Sequence, residues 1–155
     1  MHEPITAATD LSPLLLFFHS LLRWGIFFAV AVAGSAAFAG WLRKGPVITW
    51  QRSTAIVAMV LCHVQLVLGF VLYAMRFKSF KHLASDQMRY WKFEHMGMML
   101  IVIALVTIGR LTSKKAKTEQ GKHLRVAIFY LLALALMLWM IPWPFTTMGE
   151  GRGWI

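Results

Sequence analysis

The chain has 155 residues, 59% of them hydrophobic and only 14% charged, and its mean hydropathy is +0.63. Soluble domains carry about 25% charged residues, so the composition excludes an ordinary water-soluble fold. The formal charge of +10 does not point to nucleic acid, because the Lys and Arg residues sit in short connections beside apolar runs and no basic patch with interleaved aromatics stands outside them.

Residues 1–10 contain Glu3 and Asp10 but no Lys or Arg. The apolar run that follows, residues 14–41, is longer than a secretory core of about 7–15 residues and has no basic segment before it, so it is expected to stay as a helix. Three more runs of membrane length occupy residues 54–75, 91–111 and 124–141. The expected fold is all-α: one integral membrane domain over residues 1–155, an antiparallel up-and-down four-helix bundle. The connections after the first and third runs hold Arg43, Lys44, Arg52, Arg110, Lys114, Lys115, Lys117, Lys122 and Arg125. Basic loops stay on the cytoplasmic side. Arg76, Lys78, Lys81, Arg89, Lys92 and Arg152 fall on the other side, so the N and C termini are expected outside, in a multi-pass protein of the bacterial inner membrane.

The first run carries Gly25, Ala29, Ala33 and Ala37 at intervals of four, a ridge of small residues that lets a neighbouring helix come close. The fourth is almost purely apolar over residues 126–140, with Tyr130 and Trp139 its polar-tipped side chains, and is expected to close the bundle. Pro142 and Pro144 end it, and residues 149–154 form a glycine-rich tail. Cys62 is alone, so no internal disulfide exists, and it is read as a small packing residue.

Polar side chains at membrane depth are costly and mark function. Here they are His19, Arg23, His63, Gln65, Glu94 and His95, while His2, His82 and His123 are read as solvated. At a rise of about 1.5 Å per residue, His19 lies about 9 Å inside the outer boundary, His95 about 7–8 Å and His63 about 15 Å. His19 and His95 therefore share a level. Two imidazoles at one level on facing helices can bind the two faces of a haem b iron, and a shift of one turn would let His63 replace either. His19, His63 and His95 are thus the candidate metal ligands. Arg23, four residues after His19, can balance a propionate or pair with Glu94 to make two intramembrane charges tolerable. Each histidine alone is as readily explained by a hydrogen bond to a carbonyl or hydroxyl on a neighbouring helix. Gln65 stands about 200° around its helix from His63, so one of the two faces the core and the other a partner protein or a second copy. No zinc-ligand spacing or nucleophile arrangement is present.

The segments "FFHSLLRW", "LCHVQLVLGFVLY", "FEHMGMMLIVIALVTIGR" with "SKKAK", and "AIFYLLALALMLWMIPWP" together resemble small bacterial four-helix membrane proteins labelled cytochrome b-like. That resemblance spans nearly the whole chain and implies haem. A more distant likeness is to the four-helix protoporphyrinogen oxidase and copper-resistance membrane families. Those oxidases follow the third-helix histidine by a lysine two residues on, where this chain has Gly97.

The expected function is a haem b subunit, not a stand-alone enzyme, passing electrons between quinol and a partner redox protein. Glu94 would relay the proton released by quinol. The rival reading is a cofactor-free accessory subunit of a larger membrane complex, and a third is a porphyrin-oxidising membrane enzyme.

Overall fold

The computed structural model describes residues 11–149. The expectations placed on residues 1–10, Arg152 and the end of the glycine-rich tail lie outside the described residues. Within them, four helical spans are long and apolar enough to cross a bilayer: Ser12–Arg43, Thr49–Arg76, Ser85–Lys115 and Glu119–Met140. The first two are α1 (Ser12–Arg43) and α2 (Thr49–Arg76). The third divides into α3 (Ser85–Arg89), a π-helical turn (Tyr90–Glu94) and α4 (His95–Lys115), and the fourth is α5 (Glu119–Met140).

Each helix starts before its apolar run because the flanking polar and basic residues are already helical, and the fourth stops at Met140, one residue short of its run. α2 starts at Thr49 and not residue 54, and the third span starts at Ser85 and not residue 91. At about 1.5 Å per residue, the 32 residues of α1 exceed a hydrocarbon layer about 30 Å thick and carry its ends among the headgroups.

Short connections make successive helices antiparallel. α1 packs on α2, α2 on α4, α4 on α5, and α5 back on α1. The result is the expected four-helix bundle, in which α1 stands diagonally from α4 and α2 from α5. The expected role of the fourth helix as the closing element is met by its packing against both α1 and α4.

The interior is lined by small and branched side chains, with Val30, Ala58, Val106, Tyr130 and Ala133 wholly buried. The outer surface is apolar: Phe28, Val67, Phe70, Ile101, Leu132 and Trp139 are all exposed. A bundle made for water would hide such residues; here lipid is the solvent, and the chain is a multi-pass membrane protein. Helix association in lipid relies on close contact, not on hydrophobic exclusion. Ala33 and Ala37 of the small-residue ridge are buried and Gly25 is exposed. A close helix approach is at Gly109 of α4, where a β-carbon would stand 2.6 Å from Phe129 Cβ on α5. One internal strut crosses the other diagonal: the Tyr130 hydroxyl of α5 donates to the Ala55 carbonyl of α2 at 2.6 Å.

Candidate functional site

A cavity of about 240 Å³ opens inside the bundle at the end where α1 begins and α5 finishes. His19 and Arg23 reach it from α1, Cys62, Gln65 and Gly69 from α2, Trp91 from the π-helical turn, and His95, Met96 and Met99 from α4. Its surface is mainly apolar, and Arg23 and Arg76 are the cations on its lining.

His19 is seated by α2. Its backbone carbonyl accepts a hydrogen bond from Gln65 Nε2 at 2.8 Å, and its ring rests against Gly69, where a β-carbon would be 3.3 Å from Cε1. Buried His19 Nδ1 and Gln65 Oε1 have no hydrogen-bond partner. Because buried polar atoms are nearly always satisfied, such a pair marks a place where a ligand, ion or water belongs.

His95 follows the π-helical turn, and its N–H donates to the Tyr90 carbonyl five residues back. Single π turns inside α-helices are frequent at functional sites. The turn sets the phase of the helix so that Trp91 and His95 both line the cavity, their rings 5.4 Å apart between centroids. Tyr90 anchors the turn: it is buried, its ring is 5.8 Å from that of His95, and its hydroxyl donates to the Met140 carbonyl at 2.6 Å.

Of the residues singled out from the sequence, His19, Arg23 and His95 meet at this cavity. His63 does not. It is exposed on the opposite face of α2, and its Nδ1 lies 2.8 Å from the Met59 carbonyl of its own helix. The convergence of three histidines is therefore a convergence of two, because residues 63 and 65 are about 200° apart on a helix and Gln65 takes the inward position. Glu94 also lies elsewhere: its carboxylate accepts from Arg89 Nε at 2.7 Å, and both side chains are substantially exposed. It neither pairs with Arg23 nor reaches the cavity as a proton relay. Arg23 instead holds its guanidinium 5.3 Å from the Trp24 ring centroid.

His123 departs from its reading as a solvated residue. It is 2% exposed and lies over Gly40 of α1, where a β-carbon would be 2.6 Å from Nε2. α5 begins at Glu119, so His123 is already inside the bundle. His82 is exposed.

The cavity brings together two imidazoles, an apolar wall and two cations, the residue types that a haem b would call on. Among the described residues no group of three or more His, Cys, Asp or Glu could hold a metal ion. His19 and His95 stand on diagonal helices, which places imidazoles on two sides of one space. Met96, Met99, Val102 and Leu66 supply apolar wall, and Arg23 and Arg76 supply positive charge for carboxylates. The cavity lies just below the range of roughly 300–1,000 Å³ usual for ligand sites, so a porphyrin would extend past its present walls.

No family model, curated protein or solved structure matches the chain.

Proposed function

We propose that the protein is a haem b-binding membrane subunit that carries electrons, with quinol as donor and a partner redox protein as acceptor. One observation supports this above the others: His19 and His95, from helices that do not adjoin, line a single apolar cavity that also receives Arg23. When bound, the haem would supply the one-electron chemistry. His19 and His95 would hold it by their ring nitrogens, Gln65 and Gly69 would keep His19 at its level, and Arg23 and Arg76 would offset propionate charge. A dithionite-reduced minus oxidised spectrum of the purified protein tests the reading. A b-type band is expected, and a pigment-free protein would refute it.

A second reading, a cofactor-free accessory subunit, draws on His63. An imidazole facing lipid in the middle of α2 is costly unless another polar group meets it, and its Nδ1 is engaged at Met59, so Nε2 is the group a neighbour would meet. Co-purification with a larger membrane complex, lost in His63→Leu and without bound pigment, would favour this reading.

A further inference from the structure

A second cavity, of about 230 Å³, lies at the opposite end of the bundle, where α1 and α4 end and α2 and α5 begin. Its chemistry is the reverse of the first. Arg52, Arg110, Lys114 and Lys122 line it, with Glu119 as the single acid. That acid is already engaged, its carboxylate accepting from Val47 N at 2.8 Å and from Lys122 Nζ. The remaining three cations have no acid among the lining residues.

Two buried side-chain nitrogens there lack hydrogen-bond partners. His123 is 2% exposed with Nε2 unpartnered, and the buried Nε of Arg110 is likewise without a hydrogen-bond partner. Leaving such groups unsatisfied is costly, more so beside a low-dielectric interior. A lone small packing defect would be apolar; this one is ringed by positive charge and donors, which calls for a compact anion rich in acceptor oxygens. Guanidinium groups match phosphate oxygens in pairs. Height narrows the choice further, because Arg52 stands in the first turn of α2 and Lys114 in the last turn of α4, the level of lipid headgroups.

We propose that this cavity is a phosphate-binding site that takes the phosphate of an anionic phospholipid. Basic pockets between membrane helices recognise headgroups in this way. Arg52 and Arg110 grip the phosphate oxygens, Lys114 adds charge at the mouth, and His123 completes the donor set against the close α1–α5 contact at Gly40.

The test uses the full chain, delipidated in neutral detergent, and native mass spectrometry with phosphatidylglycerol, phosphatidylcholine or inorganic phosphate. Phosphatidylglycerol should be retained in preference to phosphatidylcholine. R52Q/R110Q should weaken retention about 25-fold, at about fivefold per cation near a headgroup, while R52K/R110K should keep most of it. R43Q/K44Q, two cations of the same end that do not line the cavity, should bind as the parent does. Retention of inorganic phosphate but not of phosphatidylglycerol, lost in R52Q/R110Q, supports the site with the free anion as its ligand. The proposal is overturned if the parent retains neither, if R52Q/R110Q binds as the parent does, or if R43Q/K44Q loses as much. Should R52Q/R110Q not fold, Lys114→Gln is read alone: about a fivefold loss is expected, and no loss overturns the site.

Discussion

The ring of His19 on α1 rests on Gly69 of α2, where the absence of a side chain is what lets the imidazole lie between the helices: a β-carbon there would be 3.3 Å from His19 Cε1. An alanine asks its neighbour to yield by a few tenths of an ångström. Valine fills the space the ring occupies. Gly69→Val is therefore expected to abolish haem retention and Gly69→Ala to lower it only partly, with helical content by circular dichroism unchanged in both. Full haem loading of Gly69→Val would show that the His19 ring is not held there.

Gln65 fixes the same histidine from its backbone. Replacing it by Leu removes the 2.8 Å bond to the His19 carbonyl, and membrane hydrogen bonds of this kind are worth about 0.5–1.5 kcal/mol. The expected result is a loss of that size in unfolding free energy in detergent, together with a shift in the haem spectrum. Stability unchanged within error would make the bond incidental.

Tyr130 should matter to the scaffold alone. Its hydroxyl joins the diagonal pair α5 and α2 at a wholly buried position. Tyr130→Phe leaves the Ala55 carbonyl to its helical bond only and is expected to cost about 1 kcal/mol without changing the spectrum.

Close helix contact gives a sharper contrast. At Gly109 a β-carbon would lie 2.6 Å from that of Phe129, whereas nothing stands within 4 Å of one at Gly97. Overpacking costs about 1–3 kcal/mol, so Gly109→Ala is expected to lower the thermal midpoint clearly. Gly97→Ala, in open space and with better helix propensity, should leave it unchanged or raise it. Equal effects at the two positions would contradict the packing described.

The spans themselves were legible because hydropathy and length decide whether a helix crosses lipid, and a fixed rise per residue gives His19 and His95 similar depths; both line the cavity. What depth does not report is direction around the axis. His63 and Gln65 were seen to oppose each other, but choosing the inward one needed the neighbouring helices: Gln65 reaches the His19 carbonyl and His63 only its own Met59. Glu94 was misplaced for a related reason. Hydropathy does not show a π-helical turn, and at this turn the carboxylate pairs with Arg89 while His95 lines the cavity. His123 was missed because Lys122 beside it reads as surface. The available signal was Gly40, three residues beyond Ala37, which extends the small-residue stripe to the end of α1 and leaves room for a ring.

The most direct measurement is pyridine haemochrome quantitation, with reduced minus oxidised spectra, on the parent protein and on His19→Ala, His95→Ala and His63→Ala purified under one protocol. A b-type haem in the parent is expected, lost or strongly shifted in His19→Ala and His95→Ala and unchanged in His63→Ala, since His63 faces away from the cavity. A parent protein without haem, or one whose spectrum survives both His19→Ala and His95→Ala, would contradict the account.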